Sequence, residues 1–301
     1  MKKVAIITGV NSFLGRNVAK NLIKNNYKVI GILRPDSNKK LIIDINGLDT
    51  ITIDFNNINL SDFEDIEYEY RIKEKLDKIY NEDCEFNFIH FGWGNTLNRN
   101  DFNSQLLNVD YSKKVYNIAK LLKAKKFIFA GSQAEKSNTT PYGIAKNSFA
   151  TWAKDQNDGL SFIHMRIHSI YGVDDREGSL IISIIRSIKE KKDIELSSLN
   201  YYWNYLYIDD FSKIIYKFLE NVLDNNIVYD IGSDDTRLLK DYVNEIKTIL
   251  KAKNNFLIGA RPDSKEIFAV PNINFMMKVL NDFKFTKFSD GIKTIYKKYG
   301  K

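Results

Sequence analysis

Residues 3–15 read KVAIITGVNSFLG: an apolar run from Lys3 to Thr8, then Gly9, a short polar turn, and Gly15 just inside an amphipathic stretch. A strand that feeds a glycine turn and then a helix gathers free backbone N–H groups and the positive end of a helix dipole at one point. A pyrophosphate binds at such a point. Glycine is required where the chain turns tightly and where backbone must approach the phosphates. Gly9 and Gly15 occupy the outer positions of that pattern, and Ser12, still small, stands at the middle one. The turn residues Gly9, Asn11, Ser12, Phe13, Leu14 and Gly15 are therefore assigned to a dinucleotide cofactor. Alone, the same segment would read as an ordinary strand–helix turn, so the surrounding chain has to decide.

Downstream, short apolar runs alternate with amphipathic ones. Phe13–Asn25 reads as a helix with Leu14, Val18, Leu22 and Ile23 on one face. Strands are expected at Lys28–Leu33, Ile51–Ile53, Phe86–His90, Lys126–Ala130 and Leu160–Ile167, and helices at Asp65–Tyr80, Asp101–Lys123 and Pro141–Asp155. This alternation implies an α/β fold: a doubly wound parallel Rossmann sheet with right-handed crossovers. After Tyr171-Gly172 the rhythm changes. Helices at Leu180–Lys192, Phe211–Leu223 and about Leu238–Leu250 accompany extended stretches at Tyr201–Ile208 and Val228–Ile231, followed by an irregular tail. Residues 1–168 are read as the dinucleotide-binding domain, to which 203–232 return. Residues 169–301 form a smaller, interleaved C-terminal substrate domain.

The 301 residues are 44% hydrophobic and 28% charged, which suits a globular chain with a sizeable core. No apolar run is long enough for a membrane span, and Val4–Ile7 is too short for a signal segment. The single cysteine, Cys84, excludes a disulfide scaffold and a multi-cysteine metal site, and a cytoplasmic location is the expectation. The net charge of +7 is scattered rather than gathered in a stripe, so no nucleic-acid partner is expected. His164 and His168 share a strand face but lack a third ligand, so no metal is expected either. His90 ends a strand beside the expected cofactor groove.

The second strand ends Ile32-Leu33-Arg34. An NAD-selective site usually carries an acid there for the ribose 2′-hydroxyl, whereas a guanidinium suits a 2′-phosphate. Leu33 fills that place and Arg34 follows it, so NADP(H) is favoured, with NAD(H) as the alternative. Asp54 either accepts from the adenine amino group or caps the following turn. Phe91, Gly92 and Trp93 are expected to line the groove, unless Trp93 only packs against a lid.

The chemistry is concentrated at Ser132 and in residues 141–146, PYGIAK. Tyr142 and Lys146 are four apart and share one face of a helix. A phenol ordinarily near pKa 10 is a poor acid–base group at neutral pH, and a nearby ammonium favours its ionised form. A serine at the end of the neighbouring strand can hold a carbonyl oxygen. Together the three suit proton transfer at an alcohol oxygen while hydride moves at its carbon.

These motifs resemble the extended short-chain dehydrogenase/reductases, which include nucleotide-sugar epimerases, dehydratases and reductases. The resemblance spans nearly the whole chain. It rests on the TGxxxFLG turn, Ser132, the YxxxK pair, Asn108 within LLNVDYSKKVYNIAK, RIHSIYG (166–172), WNYLYIDD (203–210) and VYDIGS (228–233). Residues 259–267, GARPDSKEI, resemble a branch of nucleotide-sugar 4-reductases that make deoxyhexoses. The resemblance implies a nucleotide-sugar substrate and a homodimer built on the helices over Asp101–Lys123 and Pro141–Asp155. It implies that Lys146 also holds the nicotinamide ribose, that Asn108 is a structural asparagine, and that Ser132, Gln133, Tyr142, Ser169, Trp203, Tyr205 and Arg261 meet the substrate. Trp203 and Asn204 replace an Arg-Asp pair, Ser169 replaces an asparagine, and a charge role near the diphosphate passes to Arg261. The aromatic run Tyr201–Tyr207 either stacks a nucleobase or packs a core. Gln133-Ala134 stand where dehydratases carry an acidic pair, and Cys84 lies away from the expected cleft. Reduction at C4 for surface-polysaccharide sugars is thus the first reading, NAD-dependent 4-epimerisation the second, and a non-catalytic NADP-binding module the third.

Overall fold

The computed structural model describes residues 1–58, 74, 84–156, 158–263 and 270–299, and the helix expected at Asp65–Tyr80 lies, but for Glu74, outside them. The chain divides into two compact units, residues 1–166 with 212–229 and residues 167–211 with 230–301.

The first unit begins with β1 (Lys2–Thr8), α1 (Phe13–Lys24), β2 (Lys28–Leu33), β3 (Leu48–Thr52) and β4 (Cys84–His90). It continues with α2 (Phe102–Leu121), β5 (Lys126–Ser132), α3 (Pro141–Lys154) and β6 (Ser161–Ile167). The chain returns to it in α5 (Ile208–Glu220), which follows α4 (Leu180–Glu190), and leaves again within β10 (Val228–Ile231). The seven-stranded sheet has the order β10-β6-β5-β4-β1-β2-β3. Strand β1 pairs in parallel with β2 on one side and β4 on the other, Thr8 lying opposite Ile32 and His90. The strand order therefore reverses at β1, and the crevice beyond the carboxyl ends of β1 and β4 is where ligands bind in open sheets of this kind.

Alternation along the strands builds the core. Val4 and Ile6 of β1, Ile30 and Ile32 of β2, Phe88 of β4 and Phe127 and Phe129 of β5 join one buried cluster with Val115, Tyr116 and Ala119 of α2 and Ala145, Phe149 and Ala153 of α3. Phe129 and Phe149 meet edge to face at 4.8 Å, and Phe127 and Phe162 stack at 6.1 Å. Each such pair contributes about 0.5–1.5 kcal/mol beyond its buried area, which stiffens the floor under the ends of β4 and β5.

The second unit holds a three-stranded sheet, β7 (Ser169–Tyr171), β9 (Tyr202–Tyr207) and β11 (Thr236–Leu238), in the order β11-β9-β7. A two-stranded sheet pairs β8 (Ile194–Leu196) with β12 (Phe256–Ile258). Helices α6 (Leu239–Ile249), α7 (Asn274–Leu280) and α8 (Phe288–Tyr299) complete it. Its core is aromatic: Tyr205 packs on Tyr171, Tyr242 and Phe288 at 5.1–5.8 Å.

Three expectations are corrected. The tail beyond Leu250 is not irregular, because Phe288, Ile292 and Ile295 recur at helical spacing and are buried in α8. The third strand starts at Leu48 rather than Ile51. The helix expected at Phe211–Leu223 runs from Ile208 and stops at Glu220. The buried Lys126 ammonium explains that stop, since it donates to the carbonyls of Phe218, Leu219 and Asn221 at 2.9, 2.7 and 2.6 Å and satisfies the open end of the helix.

Candidate active site

A cavity of about 250 Å³ opens at the carboxyl ends of β1 and β4. Of the residues assigned to the cofactor, Gly9, Asn11, Ser12, Arg34, Phe91, Gly92, Trp93 and Asn108 line it; Phe13, Leu14, Gly15, Asp54 and Lys146 do not. Ser12 caps α1, its Oγ accepting from Gly15 N–H at 3.1 Å. Asn108 pins the wall after β4: its Oδ1 accepts from Gly94 N–H at 2.7 Å and its Nδ2 donates to Gly94 O at 3.0 Å. Asp54 caps a short turn, its oxygens accepting from Asn56 N–H at 3.0 Å and Asn57 Nδ2 at 2.9 Å. Sequence reasoning missed Asp36, Ser37, Asn38 and Tyr111, which also line the cavity. Asp36 lies beyond the strand end and pairs with Arg34 Nε at 3.5 Å.

His90 closes the floor. It is held between Thr8 Oγ1 at 2.6 Å and Ser112 Oγ at 2.9 Å, with Phe127, Phe129 and Phe149 around it. Burial, with Lys146 nearby, pushes its pKa down to about 3, so it is a neutral hydrogen-bonding brace. His164 binds Glu135 rather than sharing a site with His168, which lies one residue beyond β6.

The acid–base candidates sit on β5 and α3. Pro141 and the Thr140 cap, whose Oγ1 accepts from Gly143 N–H at 3.2 Å, start α3 where Tyr142 is needed. A Cβ at Gly143 would lie 2.4 Å from Ala134 O, so glycine there lets α3 approach the turn that carries Ser132. Ser132 Oγ accepts from Ala134 N–H at 3.2 Å, which leaves its own proton to donate. Tyr142 N–H donates to Arg99 O at 3.0 Å, and the Arg99 guanidinium lies 5.1 Å from the phenol ring centroid. Lys146 Nζ lies 5.9 Å from the same centroid. Two basic side chains therefore border the phenol ring, and Arg99 is a neighbour that sequence spacing does not reveal.

Trp93 links this set to the cavity. Its ring lies 3.8 Å from Lys146 Nζ and edge-on to Tyr142 at 6.3 Å, and its Nε1 donates to Gln105 Oε1 at 2.8 Å. Lys146 Nζ donates to Ala130 O at 2.7 Å. Burial nevertheless wins over these contacts and lowers its pKa to about 7, with Glu135 opposing the shift.

The sign of that shift sets a stability test. Between about pH 7 and the ordinary lysine value of 10.5, the unfolded chain holds more of this proton than the folded one. Stability therefore rises with pH across that window on Lys146's account, and the penalty is fully present below pH 7. Lys146→Met should remove this part of the rise, so its urea midpoint relative to wild type is expected to be more favourable at pH 7 than at pH 9.5. A difference independent of pH would contradict the burial.

In the second unit, Asn204 ties β9 to the segment leading into β11: Oδ1 accepts from Ser233 N–H at 2.8 Å and Nδ2 donates to Thr236 Oγ1 at 2.8 Å. Trp203 and Tyr205 project from β9, with rings 6.2 Å apart. Tyr205 also belongs to the aromatic core and to the wall of a cavity with Tyr171, Arg237 and Phe288. Ser169 opens β7. Arg261 is exposed and 3.9 Å from Glu195, and it lines neither cavity. Among the described residues, no helix is long and apolar enough to cross a membrane, and no His/Cys/Asp/Glu cluster could hold a metal ion.

The chain is 23% identical to CDP-abequose synthase of Salmonella muenchen over 291 residues, covering 93% of this chain and 92% of that one. Its fold matches that of UDP-glucose 4-epimerase from Thermotoga maritima with a TM-score of 0.81 at 16% identity, covering 99% and 98% of the two chains. It also matches UDP-glucuronic acid 4-epimerase from Bacillus cereus, solved with NAD, with a TM-score of 0.75 at 20% identity and 98% and 96% coverage. Residues 5–232 match the NAD dependent epimerase/dehydratase family, and the chain belongs to that family.

Proposed function

We propose that the protein uses NADP(H) to reduce the C4 ketone of a nucleotide-linked deoxysugar, a step toward surface-polysaccharide sugars. The observation that carries this reading is Trp93: one ring lines the switch-point cavity and also touches Lys146 and Tyr142. The likeness to CDP-abequose synthase supports the sugar class.

The first unit takes the dinucleotide. The groove fits one: the α1 N-terminus, a glycine turn and an arginine converge on it. A reduced nicotinamide held there would supply the hydride for the ketone carbon. The chain's own residues handle the oxygen. Ser132 donates its hydroxyl hydrogen bond to the ketone, and Tyr142 protonates that oxygen as charge develops on it. Arg99, and Lys146 in its protonated form, place positive charge beside the phenol. Gln133, Ser169, Trp203, Tyr205 and Arg261 are assigned to the sugar nucleotide in the same proposal. A homodimer belongs to it too, since Phe102, Leu106 and Leu107 of α2 and Ile144 of α3 are exposed apolar side chains.

Asp36 favours a second reading. A carboxylate in the groove suits a ribose 2′-hydroxyl, hence NAD and a 4-epimerase that returns its hydride. A panel of GDP-, CDP-, UDP- and dTDP-linked sugars, each offered as the 4-ketosugar with NADPH and as the 4-hydroxy sugar without added cofactor, separates the readings. Stoichiometric NADPH consumption supports the reductase, interconversion with retained cofactor supports the epimerase, and silence with every sugar supports a binding module. Under the first reading, Arg34→Ala raises KM for NADPH by about ten- to a hundredfold and leaves NADH use unchanged. Equal losses with both cofactors would refute the role of Arg34.

A further inference from the structure

Glu135 has no part in the chemistry above, yet its carboxylate is completely shielded from water. One oxygen, Oε1, accepts from the Ser132 backbone N–H at 2.6 Å. The other, Oε2, lies 2.8 Å from His164 Nε2 and 3.6 Å from Arg166 Nε, both carried by β6. A Cβ on Gly131 would stand 2.4 Å from Oε1 and 2.7 Å from His164 Nε2, so the strand end is shaped around this group. A buried carboxylate is costly unless its oxygens are occupied, and here both are.

We propose that Glu135 is a positioning residue for Ser132: anchored to β6 through His164 and Arg166, it fixes the Ser132 backbone so that the hydroxyl is held for the substrate's carbonyl oxygen. The proposal rests on the reading of Ser132 given above. Its physical basis is leverage. Ser132 ends a strand and begins a turn, where backbone freedom is greatest, and its hydroxyl is already committed to Ala134 N–H as an acceptor. The direction left for its proton then depends on where the backbone stands. The Ser132 N–H bond to a charged oxygen is the short, strong constraint at that point. A turn cap alone would need only an exposed carboxylate; this one is tied to the next strand.

Glu135 also opposes the burial of Lys146, so the two roles must be separated. Glu135→Gln retains an acceptor for Ser132 N–H and loses the charge; Glu135→Ala loses both. The ratio of their kcat values therefore reports the hydrogen bond to Ser132. We expect Glu135→Ala to be about tenfold slower than Glu135→Gln, with KM and the NADPH Kd unchanged between them. On a Ser132→Ala background that ratio should collapse to within about twofold, because nothing remains to be aimed. The same tenfold ratio on both backgrounds would mean a general structural role and would overturn the proposal. Should the wild-type protein turn over no sugar nucleotide, the functional reading fails by itself. Positioning is then decided by the Ser132 amide proton resonance. A downfield signal that moves upfield in Glu135→Ala but stays in Glu135→Gln upholds it, and an unmoved signal overturns it.

Discussion

Tyr142→Phe is expected to lower kcat by about a thousandfold or more while leaving the NADPH Kd and Tm close to wild type. The substitution removes one oxygen. The phenyl ring keeps its edge-on contact with Trp93 and its place beside the Arg99 guanidinium, and the backbone N–H still donates to Arg99 O. Trp93, which lines the groove, keeps its packing partner, so cofactor affinity is expected to change little. What disappears is the proton that meets the developing alkoxide. Steady-state assay with the active 4-ketosugar nucleotide, beside a fluorescence titration with NADPH, reads both quantities. Near-normal turnover would remove Tyr142 from the chemistry and with it the reductase mechanism.

Gly15→Ala should be the most damaging change in the cofactor turn. A Cβ there would stand 2.2 Å from Gly9 O and 2.7 Å from Val10 Cα, and both neighbours are backbone, which cannot rotate aside. Relief requires the turn to open and α1 to shift, which costs about 3 kcal/mol or more. The Ser12 cap on Gly15 N–H would be lost with it. The expected outcome is a marked fall in Tm together with loss of measurable NADPH binding. A variant that binds the cofactor with parental affinity would show that the turn has slack the structure does not suggest.

The first unit was legible because its signals are local. The β1 run, the Ser12 turn and the Pro141 start each carry their own punctuation, and of the apolar face expected on α1, Val18 and Leu22 are buried while Leu14 and Ile23 are only partly so. Boundaries failed where a distant group intervened, as when Lys126 ended α5. Asp36 and Arg99 were missed for a related reason: each lies in a loop whose course depends on tertiary packing, and no spacing announces it. Glu135 was legible in principle. Ser132-Gln-Ala-Glu135 has the spacing of a capping box, and the structure forms one. The carboxylate stands one residue beyond Gln133-Ala134, where the resemblance implies an acidic pair in dehydratases. In the tail, Phe288, Ile292 and Ile295 keep helical spacing, a signal short enough to be masked by the polar residues around it.

Lys126 also has a temporal consequence. Its ammonium lies in β5, but the carbonyls that receive it belong to residues 218–221, and the first unit is complete only at residue 229. As the chain leaves the ribosome, the Rossmann half must wait through the synthesis of residues 167–211, destined for its neighbour, before those carbonyls can receive the ammonium. An amino-terminal fragment ending at Arg166 would hold the whole cofactor groove but lack residues 212–229, which complete the unit, so this half is poorly suited to autonomous expression.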